Sequence, residues 1–415
     1  MSKVIVIGGG IIGLSSAWFL CRSGHDVVVI DRPSDITNCS YGNAGYVCPS
    51  HFIPLAAPGI VWQGFKWMFR TTSPFYVEPR FSLPLLRWGW HFMRSATAAN
   101  VEHAAVPLRD IALLSQREYN QWAELPGLNF SYEHKGLLEI FQQEKTREHA
   151  KHTVDKALQL GLDTELLDQS QLFAKEPQTK INAIGAIFFK CDAHLYPDKL
   201  MQQLLLQLRE MGVQFVQDSV SSFETRGGMI SNVITPRDAY GAHQVVIAAG
   251  SWSREIANMA GIHFPLVAGR GYSVTLENSP YRVHHPAVLM EGRAALTPMD
   301  GNKIRFGGTM EITSTSRPPR IKRVEGLLAA VKRFYPEFEV LVPPVEQAWY
   351  GYRPCSADGL PYIGRSGKVK NVVIATGHAM LGLSLGAGTG KLVSEIVDGR
   401  KTSMDITPFA PGRFS

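Results

Sequence analysis

The sequence predicts an α/β protein. A mostly parallel sheet is assembled from separated stretches of chain and joined to an α+β unit with a mixed or antiparallel sheet. Three observations predict it. Residues 3–31 read as strand, glycine turn, helix, strand. Two further short, largely apolar stretches, 244–249 and 372–376, each leave into a glycine-containing turn. Between these runs, helical and sheet-like patterns fail to alternate with parallel strands, so they belong to a second unit.

Val4 to Ile7 is apolar and β-branched throughout, as in a strand buried on both faces. Glycines follow at the spacing Gly8-x-Gly10-x-x-Gly13. The first suits a tight turn, the second lets the backbone approach a pyrophosphate, and the third lets a helix pack on the strand. That helix, 11–23, begins with Ile11, Ile12 and Gly13, where free N–H groups and the macrodipole favour negative charge. Gly24 stops it. Val27 to Ile30 is the second strand, and Asp31 at its end can accept hydrogen bonds from ribose hydroxyls. The motif marks a dinucleotide site without separating FAD from NAD.

The 415 residues allow two or three domains, and a hydrophobic fraction of 45% supports sizeable cores. A formal charge of +6 suits anionic cofactors, acidic substrates or an anionic membrane surface. No long Lys/Arg run points to nucleic acid. The five cysteines form no CxxC and no cluster with zinc spacing, so no metal is expected and reduced thiols on the cytosolic side are. No signal peptide is recognised ahead of the first strand, and no apolar stretch reaches the ~18 residues of a membrane span.

After Asp31, residues 38–45 form a loop of small and polar residues whose backbone can lie against a cofactor. Residues 52–95 hold Trp62, Trp67, Trp88 and Trp90, six phenylalanines and Tyr76, and Lys66, Arg70, Arg80, Arg87 and Arg94 against the single acid Glu78. Two readings stand: an amphipathic patch on a membrane surface, or a helical insertion covering the active site or a subunit contact. Further on, helices are expected at 106–122, 144–160, 197–211 and 324–334. Strands are expected at 130–132, 136–141, 183–190, 213–216 with Val220, and across 266–340. A glycine-rich turn, Gly377 to Gly386, then enters a helix at about 387–397, a second anion-receptive site.

The opening fingerprint, Ala248-Ala249-Gly250-Ser251-Trp252-Ser253, Gly351-Tyr352-Arg353-Pro354 with Asp358-Gly359-Leu360-Pro361, and Gly377-His378-Ala379-Met380-Leu381-Gly382 together resemble the D-amino acid oxidase/glycine oxidase family of flavoproteins. The resemblance covers nearly the whole chain. The loop 38–49, the aromatic insertion and the length are most similar to its bacterial D-amino acid dehydrogenase branch. It implies a Rossmann-like FAD-binding domain from 1–50, 193–265 and 345–415, and a substrate domain from 51–192 and 266–344. It implies that Gly8, Gly10 and Gly13, with Ile11 and Ile12, receive the pyrophosphate, and that Asp31 and Arg32 flank the adenosine. The rest of the cofactor wall would be Asn43, Ala44, Gly45, Val220, Ala249, Gly250, Gly377, His378, Met380, Gly382, Leu383 and Ser384. The last six would lie at the pyrimidine edge of the flavin, although His378 also suits a loop residue bonded to backbone.

Arg353 matches the arginine that pairs with the substrate carboxylate in this family, and its planar fork suits that task. Tyr272 is expected either as a hydroxyl for that carboxylate or as a pocket or core tyrosine. Relatives with covalent flavin carry a cysteine just ahead of the arginine. Here Cys355 follows it, so noncovalent FAD is expected. The implied reaction is oxidative deamination of a D-amino acid to the 2-oxo acid and ammonia, with hydride passing to flavin N5 and electrons going on to a quinone or other carrier. D-proline, hydroxyproline, glycine and sarcosine are the alternative substrates. Peripheral contact with the inner face of the cell membrane and a homo-oligomer are also expected.

Overall fold

A computed structural model describes residues 2–33, 38–59 and 73–414. Six strands form one sheet in the order Tyr362–Arg365, Val372–Thr376, Gln244–Ile247, Lys3–Ile7, Asp26–Asp31, Gln214–Gln217. Only the Tyr362–Arg365 edge is antiparallel. The apolar runs explain the burial: Val4, Ile5, Val6, Val245, Val246, Val372 and Val373 are all wholly buried, because helices cover one face and a polar meander the other.

On the first face, helix Ile11–Arg22 lies beside helices Gly386–Val397 and Ala98–Ala123. Two glycines permit that approach. A Cβ on Gly390 would lie 2.5 Å from the Ser15 carbonyl, and one on Gly388 would lie 2.9 Å from the Ser115 nitrogen. The Ala98–Ala123 helix begins eight residues before the expected 106, with Thr97 accepting from Asn100 N at its cap. It runs through Pro107, whose missing N–H it tolerates.

The other face carries a three-stranded meander, Ser222–Arg226, Met229–Ile234 and Ala239–Gly241, that the sequence reading lacks. Its strands are largely exposed and do not alternate. Its signal is the turn: Gly227 and Gly228 both take positive φ, +62° and +76°, as a tight hairpin requires.

The second sheet has nine strands. Trp349–Ser356, Leu266–Leu276, Lys303–Ile312, Ala294–Met299, Ala287–Leu289, Leu137–Phe141, Gly185–Phe189 and Thr164–Asp168 follow one another, with Phe75–Val77 pairing on Lys303–Ile312. Most pairs are antiparallel. Helix Ile321–Phe334 packs on one face with Val324, Leu327, Val331 and Phe334 buried. Trp349–Ser356 falls inside the 345–415 range but hydrogen-bonds to Leu266–Leu276, so it edges this second sheet. Residues 130–132 form no strand. Phe130 is buried and Tyr132 part-buried beside Tyr119, packed as aromatic side chains without a ladder partner.

Part of the aromatic insertion, including Trp62, Phe65, Lys66, Trp67, Phe69 and Arg70, lies outside the described residues. Helix Leu83–Ser95 follows it. Trp88 is buried, stacks on Phe92 and donates its Nε1–H to the Cys355 carbonyl at 3.0 Å. The opposite stripe, Leu83, Leu86, Trp90 and Met93, is exposed together with Phe81. The insertion therefore anchors on the second sheet by one face and leaves an apolar face open.

Candidate active site

The carboxyl ends of the parallel strands and one face of the second sheet enclose a cavity of about 1240 Å³. That exceeds the ~300–1,000 Å³ of a drug-sized site, and it lies where open α/β sheets bind ligands. Of the expected site residues, all but Gly13, Gly45 and Gly377 line it.

The phosphate cradle is built from backbone. Gly8 sits at φ +115°, and a Cβ there would lie 2.4 Å from the Ala248 carbonyl oxygen. Gly13 serves packing: its Cβ would lie 1.8 Å from the Gly8 carbonyl oxygen. Gly10 faces open space, and a methyl placed on it would meet only the Ser40 hydroxyl, at 3.5 Å. The helix behind it has no acid in its first turn, and Ile11 N donates to Ser40 Oγ at 3.0 Å. Asp31 closes this end. Burial raises its carboxyl above the usual range, although hydrogen bonds from Gly9 and Arg32 N–H oppose the shift. The Arg32 guanidinium stacks 3.7 Å from the Trp252 ring centre, beside Val220, Ala249 and Gly250.

The loop 38–45 is held by residues that sequence reasoning missed. Asn38 Nδ2 donates to Gly9 O, and Arg305 donates to the carbonyls of Tyr41 and Asn43 while pairing with Asp198. Ala44 O accepts from Thr297. Gly45, at φ +82°, lies against the Leu195 carbonyl, where a Cβ would be 2.1 Å from oxygen. At the far wall Gly377 takes φ +84° against the Tyr362 ring. His378 Nε2 lies 3.0 Å from Thr389 Oγ1, in the first turn of helix Gly386–Val397. Burial pushes its imidazole down to about 3, so it is neutral. Ser384 donates to Tyr46 O, and Met380, Gly382 and Leu383 complete the wall.

Arg353 stands on the second sheet, half-buried in the cavity wall, and the desolvation of its guanidinium lowers its pKa. A Cβ on Gly271 would fall 2.1 Å from its Nη2, so this glycine makes room for the guanidinium. The head crosses that strand and donates to the carbonyls of Gly308 and Thr309. Thr309 has φ +61°, rare for a β-branched residue, beside a bulge at Arg270/Tyr272. No carboxylate pairs with Arg353 among the described residues. A cation partly withdrawn from water and facing a cavity without a counter-ion is costly unless a ligand supplies one.

Of the two expectations for Tyr272, the geometry favours the pocket or core tyrosine. Its hydroxyl donates to Glu311 Oε2 at 2.8 Å and accepts from Arg320 N at 2.8 Å, so both its capacities are taken. Glu311 also holds Arg270 and Arg323, all three within 2% exposure. Tyr350 lines the cavity with no hydrogen-bond partner for its hydroxyl among the described residues.

All five cysteines are free thiols. Cys355 is buried, bonds to its own strand and is pushed up to about 12 by burial; it does not line the cavity, whereas Cys39 does. Although the sequence shows no metal-ligand cluster, folding brings donor atoms of Cys48, His51 and Asp192 within 4.8 Å of one another. The Asp192 carboxylate is engaged by Ser50 N–H, Ser50 hydroxyl and the Cys191 thiol. These bonds tie the 48–51 loop to the turn after Gly185–Phe189.

The arrangement fits a flavin dinucleotide: a glycine-lined diphosphate cradle, a ribose-ready acid and a second helix N-terminus at the opposite wall. The pattern of the FAD dependent oxidoreductase (DAO) family matches residues 3–396. The D-amino acid dehydrogenase of Neisseria meningitidis is 31% identical over 99% of both chains, and that of Granulibacter bethesdensis is 29% identical over 100% of both. Glycine oxidase from Geobacillus kaustophilus superposes with a TM-score of 0.78, covering 100% of this chain and 99% of the other at 21% identity. The chain therefore belongs to the DAO family of FAD-dependent oxidoreductases.

Proposed function

We propose that this protein oxidises a D-amino acid to the 2-oxo acid and ammonia, and passes the electrons to a quinone or other carrier. The observation that carries the reading is Arg353, a half-buried guanidinium on the cavity wall with no carboxylate partner among the described residues. It binds the substrate carboxylate bidentately and fixes the orientation of Cα. Gly8 and Gly10 with Asp31 would hold FAD, Gly13 keeps the helix behind them close to the strand, and the N-terminus of Gly386–Val397 contributes positive potential at the opposite wall. FAD, when bound there, would supply the two-electron oxidation. Relatives named D-amino acid dehydrogenase support this substrate class.

One preparation tests the reading. Because Cys355 lies off the cavity, acid precipitation is expected to leave FAD in the supernatant; flavin retained in the pellet would refute noncovalent binding. Anaerobic addition of D-amino acids is expected to bleach the bound flavin. Bleaching only by proline derivatives, glycine or sarcosine would move the protein to those substrates.

The exposed stripe Leu83, Leu86, Trp90 and Met93, flanked by exposed Arg87 and Arg94, favours reversible docking on an anionic membrane where a quinone is within reach. No helix among the described residues is long and apolar enough to span one. Flotation with anionic vesicles is expected and should be lost in Leu86→Asp. Absence of flotation, together with fast reoxidation by air, would make the protein an oxidase.

A further inference from the structure

The cavity continues past Arg353 to a second charged end. Glu139 stands opposite Val288, Val288 opposite Ala295, and Ala295 opposite Gly307. Facing residues of paired strands share a side of the sheet, and all four line the cavity. The floor between the two ends is thus small and apolar. Glu139 has no hydrogen-bond or ion-pair partner among the described residues. Burial, and then the nearby Asp192 carboxylate, push its carboxyl up to about 7, while Arg293 opposes the shift. An acid that loses solvent and gains no donor is stabilised by a ligand that brings one.

The spacing sets the size of that ligand. The Arg353 head already reaches the Lys303–Ile312 strand through the Gly308 and Thr309 carbonyls. From there to the Leu137–Phe141 strand are three strand spacings of about 4.8 Å, or ~14 Å. A hydrogen-bonded contact of ~3 Å at each end leaves ~8 Å for the ligand. An extended lysine- or arginine-like amino acid has that reach, and its methylenes suit the Gly307, Ala295, Val288 floor.

We infer that Glu139 is the distal subsite of this cavity and receives the cationic side-chain end of a lysine- or arginine-like D-amino acid whose carboxylate Arg353 holds. This rests on the D-amino acid reading above and adds the substrate class to it.

The test uses the FAD-loaded enzyme with D-lysine, D-arginine, D-norleucine and D-alanine, and a dye as electron acceptor. Wild type is expected to show a kcat/KM for D-lysine at least tenfold above that for D-norleucine, its uncharged analogue. Glu139→Gln is expected to lower kcat/KM for the two basic substrates ten- to hundredfold, mainly through KM. D-norleucine and D-alanine should change less than threefold, which also shows that the variant is folded and loaded. An equal loss on all four substrates, or a wild-type preference for D-norleucine, would overturn the subsite alone. Bleaching of wild-type flavin by none of the four would overturn the D-amino acid reading and the subsite with it.

Discussion

Arg353→Lys is expected to raise the KM for substrate ten- to hundredfold while FAD stays bound. The bidentate pair is the contact at stake. Charge-assisted hydrogen bonds contribute about 1.5–3 kcal/mol each, and a lysine ammonium can present only a point charge where the fork gave two parallel donors. The shorter head also loses the carbonyls of Gly308 and Thr309, which hold the guanidinium over Gly271. A second effect follows from partial burial. Desolvation already lowers the Arg353 pKa, and the same desolvation acts on a group that releases its proton far more readily. The variant's loss relative to wild type should therefore deepen as pH rises, because the neutral amine cannot attract a carboxylate while the Arg353 guanidinium keeps its charge. Titration of reductive bleaching against substrate at several pH values reads both effects. Because the cradle lies on the other sheet, the flavin spectrum before substrate should be unchanged. Unaltered saturation in Arg353→Lys would place the carboxylate site elsewhere.

How far the sequence could lead differs from residue to residue. The cradle was legible because its chemistry is local: Gly8, Gly10 and Gly13 act on chain within a few residues or on the adjoining strand. Arg353 was legible through the family motif around it. Tyr272 could not be decided between carboxylate ligand and pocket or core tyrosine, because its hydroxyl is claimed by Glu311, 39 residues away, and no local pattern shows that pairing. Glu139 was invisible for a related reason. Within Leu137–Phe141 it reads as one polar residue in an apolar strand, and only pairing with Val288 puts it on the cavity face. The meander at 222–241 was missed although its Gly227-Gly228 turn was in plain sight, since its strands lack the alternation that signals a half-buried sheet. Residues 83–95 carry aromatics on both sides of the helix, so which face packs could be decided only by the Trp88 bond to Cys355.

Gly13→Ala and Gly10→Ala are expected to fail in different ways, although both lie in one motif. At Gly13 the added methyl would sit 1.8 Å from the Gly8 carbonyl oxygen and 2.9 Å from its carbon, both backbone atoms that cannot swing aside. Helix Ile11–Arg22 must then lift from the sheet, opening the packing of Leu14, Ala17 and Trp18 on the first core. Overpacking of this kind costs about 1–3 kcal/mol or more, so the apoprotein itself should melt lower and FAD should be lost as a consequence. At Gly10 the backbone is extended, with φ −77° and ψ 178°, which alanine adopts freely. Its methyl would meet only the Ser40 hydroxyl at 3.5 Å, an ordinary contact. The apoprotein of Gly10→Ala should therefore melt within a few degrees of wild type. Its defect should appear only with the dinucleotide, because the methyl occupies the space through which the backbone approaches the pyrophosphate. Thermal melts of both variants with and without FAD, together with FAD titration by flavin fluorescence, separate the two. A Gly10→Ala protein that binds FAD as wild type does would move the diphosphate away from this turn, and a Gly13→Ala apoprotein of wild-type stability would remove the packing role assigned to Gly13.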